Sequence, residues 1–476
     1  LIELWEHQKK ALALSQEKEC LGILFDIGTG KSRTAIEILR YRYAAHKSLL
    51  KTLILAPKIV VTNWKKEFQK YSKIHPRDII LLTGSQSKRK KDFVEAVTAN
   101  YKLEKPKIIV TNYEALQMES LYNLFFDYGF EAIVADEAHK LRNPESKRAK
   151  ATIKLGDRAT YRYALTGTPI LNSAMDVFNI YRFLDKGETF GTNFWRFRAI
   201  WFEDENAGFQ GKAHYFPKWG PRPETYQEFN KLIYKNALRA RKDECLDLPP
   251  FVRKSVGVEL SPEQKRAYKE MRDDYIAFIT EHEGAPKAVV AQMAITKALR
   301  LQQIVTGFAK TDQAEIVRFK KNPRLDALKE LLETLAPDHK IIVWSVFHEN
   351  YKDIAGLCAE LKLGFRELHG KVAQGVRDKN LDDFRDNPEV RVLVANQAAG
   401  GIGINLVESD VSIFYSKNFS LEQDLQAEGR NYRGGSEIHH KVTRIDIVAE
   451  GTIDELITDS LANKQDISTK ILEWKL

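Results

Sequence analysis

Short, uniformly apolar and β-branched runs recur along the first part of the chain with amphipathic stretches between them: Leu21 to Phe25, Thr52 to Ala56, Ile108 to Thr111, Ala132 to Ala135 and Tyr163 to Thr166. A run without polar alternation predicts a strand covered on both faces, and such strands alternating with helices predict a parallel sheet flanked by helices. The pattern stops near Phe183. From there to Lys242 the chain turns aromatic and basic, as in Phe194-Trp195-Arg196-Phe197-Arg198, and has no strand period, which predicts a helical insertion. Leu246-Asp247-Leu248-Pro249-Pro250 then breaks any helix, because proline lacks the amide and restricts its predecessor, so this stretch reads as a linker. Ser261-Pro262-Glu263-Gln264 carries a capping serine and a proline at the first helical position, and helices are predicted from there to about Gly307. The strand pattern returns at Lys340 to Ser345, Gly364 to Leu368, Val390 to Ala395, Val411 to Tyr415 and Lys441 to Val448, predicting a second parallel α/β domain. The halves share no fixed-period repeat, which excludes a solenoid.

Composition narrows the class. With 476 residues, 43% hydrophobic and 29% charged, the chain is a globular protein of about three domains at roughly 150 residues each, not a disordered scaffold. Its longest apolar runs, such as Ile341-Ile342-Val343-Trp344, fall short of the roughly 20 residues of a membrane helix. Lysine and arginine number 74 against 65 aspartates and glutamates, and the net charge of +9 favours a polyanionic partner. Cys20, Cys245 and Cys358 have neither zinc nor disulfide spacing, which fits a reducing compartment. The chain starts at Leu1 without methionine, so the native start is expected upstream.

The chemistry gathers at strand ends. Ile23-Leu24-Phe25 leads into Asp26-Ile27-Gly28-Thr29-Gly30-Lys31-Ser32, followed by a helical pattern from Arg33 to Leu39. Strand, glycine loop and helix make a phosphate cradle in which Gly28, Thr29 and Gly30 bring backbone amides to the phosphates, Lys31 neutralises their outer oxygens, and Ser32 can ligate magnesium. Phe25 stands where the general pattern has its first glycine. Ile133-Val134-Ala135 runs into Asp136-Glu137-Ala138-His139, where Asp136 suits magnesium and Glu137 suits water activation, although the four residues alone could be a solvated loop. Tyr163 to Leu165 ends in Thr166-Gly167-Thr168-Pro169, which alone could be a plain turn.

Together these three motifs resemble helicase superfamily two. Ala399-Gly400-Gly401-Ile402-Gly403-Ile404-Asn405-Leu406 and Gln426-Ala427-Glu428-Gly429-Arg430-Asn431-Tyr432-Arg433 narrow the resemblance to the Swi/Snf-type DNA translocases. So do Arg241-Lys242-Asp243 with Asp247-Leu248-Pro249-Pro250, Leu260 to Gln264, and Leu325-Asp326-Ala327-Leu328, so that the resemblance spans essentially the whole chain.

The resemblance implies two RecA-like parallel-sheet lobes in tandem that sandwich ATP. Lobe 1 would cover 1–182 with an insertion at 183–245, a linker at 246–252, an insertion of lobe 2 at 253–320, lobe 2 at 321–460 and a C-terminal helix at 461–476. It implies that ATP and Mg2+ are used, with Gln8 reading adenine, Gly28, Gly30, Lys31 and Ser32 on the phosphates, Ser32 and Asp136 on the metal, and Glu137 as the base. His139 and Thr166, Gly167 and Thr168 would relay the nucleotide state. Arg430 and Arg433, three apart and so on one face of a helix, would be arginine fingers. Gln426, Gly403 and Asn405 would touch nucleotide. Nucleic acid would be gripped through its backbone by Lys58, Trp64, Thr111, Asn112 and Tyr113 in lobe 1 and Trp344, Ser345, Asn396, Gln397, Ala399 and Gly400 in lobe 2. Each aromatic taken singly belongs in a core more often than on a ligand surface.

Arg433-Gly434-Gly435-Ser436 ends in serine where the family generally has glutamine, and Tyr415 to Ser420 lacks the acidic, tryptophan-containing segment of eukaryotic remodellers. These departures resemble the small members of bacteria and their phages. The implied protein is a monomeric, nucleic-acid-dependent ATPase that tracks along duplex or branched DNA without sequence preference. It would work away from membranes, in the cytoplasm of a bacterial or phage-infected cell or, in a eukaryote, in the nucleus. An RNA or single-strand helicase is the alternative.

Overall fold

The computed structural model of the chain describes residues 3–58, 60–98, 107–167, 174–207, 219–281, 287–311, 315–398 and 404–462. They fall into two compact units, Leu1–Leu246 and Asp247–Leu476.

In the first unit α1 (Glu6–Glu17) precedes β1 (Cys20–Phe25), α2 (Lys31–His46), β2 (Thr52–Ala56), α3 (Val61–Tyr71), β3 (Ile79–Leu81), α4 (Gln86–Thr98) and β4 (Ile108–Asn112). There follow α5 (Glu119–Tyr128), β5 (Ala132–Asp136), α6 (Lys147–Arg158), β6 (Tyr161–Leu165), α7 (Val177–Leu184) and α8 (Phe194–Trp201). A small hairpin of β7 (Phe202–Asp204) and β8 (Trp219–Pro221), then α9 (Tyr226–Ile233), β9 (Ala237–Ala240) and α10 (Lys242–Cys245), complete it. Seven strands form one wholly parallel sheet ordered β3-β4-β2-β5-β6-β1-β9. The inner strands β2, β4, β5 and β6 are buried at every position, which is why their sequences show no polar alternation. Asp136 is in register with Leu165, and Ile23 with Leu165 on the other side of β6, so the C-terminal ends of β5, β6 and β1 lie side by side. In an open parallel sheet this is the edge at which ligands bind.

In the second unit β10 (Phe251–Val258), α11 (Pro262–Glu281) and α12 (Lys287–Val305) precede a short hairpin of β11 (Phe308–Lys310) and β12 (Ile316–Arg318). Then come α13 (Pro323–Leu335), β13 (Ile341–Trp344), α14 (His348–Glu360), β14 (Gly364–Leu368), α15 (Gln374–Asp386) and β15 (Val390–Ala395). β16 (Val411–Phe414), α16 (Leu421–Glu428), β17 (Val442–Ala449) and α17 (Ile453–Ala462) end the described chain. Six strands again form a wholly parallel sheet, ordered β10-β17-β16-β13-β15-β14. The signal at Ser261 is a capping box: Gln264 Oε1 accepts from the Ser261 amide at 3.2 Å while Ser261 Oγ accepts from the Gln264 amide at 3.4 Å. Gln264 Nε2 then donates to the Ile304 carbonyl at 2.9 Å, tying α11 to α12.

An expected insertion and the expected linker turn out to contribute strands to the sheets. Residues 183–245 include β9, which pairs with β1 as an edge strand, and the expected linker at 246–252 already contains the start of β10, which pairs with β17 along its whole length. Both were hidden because an edge strand keeps one side in solvent: Arg253, Lys254 and Ser255 are exposed and erase the apolar run. The aromatics of the first insertion are mostly core, since Phe190, Phe197, Trp201, Phe202 and Phe229 join the buried cluster that continues into β5 and β6. Among the described residues Trp195, Tyr226 and Tyr234 are exposed instead, Trp195 most of all at 65%. Of the expected C-terminal helix, residues 463–476 lie outside the described residues. Among the described residues no helix is long and apolar enough to cross a membrane.

Candidate functional site

The loop after β1 takes the backbone shape that its glycines allow. Gly28 and Gly30 have φ of 88° and 83°, a region closed to most side chains, and Gly30 is the residue from which α2 begins. A Cβ on Gly30 would lie 2.2 Å from Gln8 Nε2, so a side chain here would have to displace the Gln8 amide from the loop. Thr29 is buried and donates from Oγ1 to the Asp26 carbonyl at 2.7 Å, and the His7 ring meets the Thr29 carbonyl at 2.8 Å. Burial holds the His7 imidazole below its ordinary range, against the opposing effect of that carbonyl. Lys31 Nζ bonds the carbonyls of Phe25 at 3.0 Å and Asp26 at 3.3 Å. Gln8, fully buried, accepts from the Trp5 amide at 3.0 Å and donates to the Gly30 carbonyl at 3.3 Å, which places it against the loop. Ser32 is half-buried in the first turn of α2.

At the end of β5, Asp136 is buried and its carboxylate is held from two sides: Trp64 Nε1 donates to Oδ2 at 2.9 Å and the Glu137 amide to Oδ1 at 3.0 Å. Tyr113 donates its hydroxyl to the Asp136 carbonyl at 2.8 Å. Burial and the neighbouring Glu137 carboxylate push Asp136 up to about 7, against the pull of the Trp64 bond and the Lys31 charge. Glu137 itself is left-handed, with φ of 51° and ψ of 55°, a conformation that costs a non-glycine residue about 1–2 kcal/mol and turns its side chain out of the strand's alternation. His139 Nδ1 lies 3.4 Å from Glu137 Oε2 and 3.4 Å from Thr166 Oγ1, so the expected relay residues do meet the expected base. A Cβ on Gly167 would come 3.2 Å from the Phe25 carbonyl and 3.3 Å from Lys31 Nζ, which shows how closely the end of β6 approaches the phosphate loop. Thr168 lies outside the described residues.

These groups fit a magnesium nucleotide. A buried acid whose ionisation is opposed by an adjacent acid gains from a cation, and Ser32 and Asp136 would be the oxygens to hold one. Among the described residues no three His, Cys, Asp or Glu side chains gather into a metal cage. Magnesium held by one or two protein oxygens, phosphates and water needs none.

In the second unit Gln426 is buried on α16 and donates to Glu422 at 3.0 Å. The helix ends at Glu428, so Arg430 and Arg433 lie in the following turn and the expected shared helix face is not how they are brought together. They converge instead because both Nη1 atoms reach the Ile404 carbonyl, each at 3.3 Å, while the Leu406 amide bonds the Arg430 carbonyl at 3.0 Å. Asn405 is exposed beside them; Gly403 lies outside the described residues.

Most residues expected to contact nucleic acid have their side chains inside the fold. Trp64, Thr111, Tyr113, Trp344, Ser345 and Gln397 are buried, and most of their polar atoms are engaged within the fold: Trp64 and Tyr113 on Asp136, Thr111 Oγ1 on the Leu82 carbonyl at 3.1 Å, and Gln397 Oε1 on the Asn418 amide at 2.7 Å. Asn112 is buried between Arg89 and Glu114, and Asn396 donates to the carbonyls of Ser345 and Val346. These side chains brace the strand ends. Lys58 is exposed as expected; Ala399 and Gly400 lie outside the described residues. Sequence reasoning missed the bracing role of Trp64 and Tyr113, and also Asp26, whose Oδ2 accepts from the Lys242 amide at 3.0 Å and so ties the phosphate loop to α10. The Arg241-Lys242-Asp243 motif was the available signal for that contact.

A family model described as the SNF2-related domain matches residues 7–307, and one described as the helicase conserved C-terminal domain matches residues 323–435. The chain is similar to the "Uncharacterized ATP-dependent helicase" of Mycoplasma pneumoniae, with 26% identity over 463 residues, covering 96% of this chain and 41% of that protein. It is also similar to the "Probable ATP-dependent DNA helicase CHR23" of Arabidopsis thaliana, with 27% identity over 472 residues, covering 95% of this chain and 41% of that protein. The chain thus spans about two fifths of the length of both. Among solved structures, the helicase domain of Hef from Pyrococcus furiosus shares the fold, with a TM-score of 0.53 at 19% identity over 96% of this chain and 98% of that one.

Proposed function

We propose, because the chain belongs to the SNF2-related family, that it is a nucleic-acid-dependent ATPase that converts hydrolysis into movement along duplex DNA. The observation that carries this reading is the row of strand ends β5, β6 and β1, which sets the acid pair, the Thr166-Gly167 turn and the phosphate loop side by side. The amides of Gly28 to Ser32 and the Lys31 ammonium bind the triphosphate, and Gln8 reads the base. Ser32 and Asp136 would hold magnesium, which would supply charge neutralisation at the phosphate oxygens. Glu137 takes the proton of the attacking water, held in place by its left-handed backbone and by His139. Arg430 and Arg433 supply positive charge to the γ-phosphate. The net charge of +9 and the DNA helicase named among the relatives support a DNA track read through its phosphates.

ATPase rate measured against duplex DNA, single-stranded DNA, branched DNA and RNA at matched salt tests the substrate. The rate should be highest with duplex or duplex-branched DNA and its half-saturation should weaken steeply with salt. A preference for RNA or for single strands would replace the duplex track with the corresponding helicase substrate.

A further inference from the structure

Within the second unit lies a buried ion network that neither the nucleotide chemistry nor the family motifs account for. Arg444, on β17, is 1% exposed, and its guanidinium makes a two-pronged bond to Asp424, with Nη1 to Oδ2 and Nη2 to Oδ1 both at 2.9 Å. The same group reaches Glu428 Oε2 at 3.0 Å and Asp446 Oδ1 at 2.9 Å and lies over the Phe414 ring at 3.7 Å. Lys417 bonds the other Asp446 oxygen at 3.0 Å and Thr458 Oγ1 at 3.0 Å, and Arg253 on β10 reaches Glu428 from outside. Three cations thus face three carboxylates, and the charges balance.

Asp424 and Glu428 stand four apart on α16 and so share one face, while Gln426 between them points away from that face. A guanidinium fork that grips both positions fixes the rotation of this short helix about its own axis, which a single point charge would not do. The helix ends at Glu428 and the chain reaches Arg430 two residues later. We propose that Arg444 is a positioning residue: through Asp424 and Glu428 it sets the orientation of α16 and thereby the placement of Arg430 for hydrolysis. The proposal rests on the reading of Arg430 as a group that acts on the phosphate.

Arg444→Lys keeps the charge and removes the fork. The expected result is a folded protein whose kcat falls about 10- to 100-fold, as misplacement of a catalytic group does, with the KM for ATP within about twofold of the parent. Asp424→Asn, which leaves Arg444 its bonds to Glu428 and Asp446, should show the same split and serves if Arg444→Lys does not fold. The decisive readout is the double variant with Arg430→Ala: if Arg444 acts through Arg430, the double variant should be no slower than Arg430→Ala alone. Multiplied losses, or a normal kcat per nucleotide-binding site in both Arg444→Lys and Asp424→Asn, overturn the positioning role while leaving a slow Arg430→Ala intact. A wild-type rate in Arg430→Ala overturns both the finger reading and this proposal.

Discussion

Glu137→Gln should bind ATP normally and hydrolyse it roughly 10³-fold more slowly, within the range that a lost general base costs. Gln keeps the length and both hydrogen-bonding atoms but cannot take a proton. The substitution also leaves the left-handed turn to a residue of the same shape, so the backbone that aims the side chain is kept. Its effect on stability has a definite sign. The Glu137 charge is one of the causes that raise Asp136, and neutralising it relieves a repulsion between two acids at the end of β5. The melting temperature should therefore match or exceed that of the parent, so loss of activity will not be loss of fold. Wild-type hydrolysis by folded Glu137→Gln would remove Glu137 from the chemistry, and failure to bind nucleotide would assign it to binding.

Arg430→Ala should be the next largest loss, about 10³-fold in kcat with ATP affinity within about threefold, because a finger acts on charge that develops only during transfer. The fold should survive. The Ile404 carbonyl that Arg430 bonds is also bonded by Arg433, and the Leu406 amide bonds the backbone of residue 430, so truncation leaves the turn stitched. Single-turnover hydrolysis with saturating ATP separates this from a binding defect: normal hydrolysis per bound ATP combined with weak binding would count against a finger role.

The central strands were legible because burial on both faces writes itself as an unbroken apolar run, as in Thr52 to Ala56 and Ala132 to Ala135. The edge strands were not, since Arg253, Lys254 and Ser255 of β10 keep the composition of a surface loop while bonded to β17. The phosphate loop and the acid pair were legible because their chemistry sits in consecutive residues. What the sequence hid was the use of residues distant along the chain. Trp64 looks like an exposed contact until α3 brings it under β5, where it holds Asp136. Asp424 and Arg444 form a pair only because β17 passes beneath α16. The spacing of Arg430 and Arg433 suggested a helix face, whereas their convergence depends on a carbonyl 26 and 29 residues upstream.

The claim that hydrolysis drives movement along duplex DNA is tested most directly by displacement of a third strand from a triplex formed on a duplex track. The account predicts that the wild-type chain strips the third strand only when ATP is supplied and that folded Glu137→Gln does not. Duplex-stimulated hydrolysis without any displacement, or displacement that proceeds equally without ATP, would contradict it.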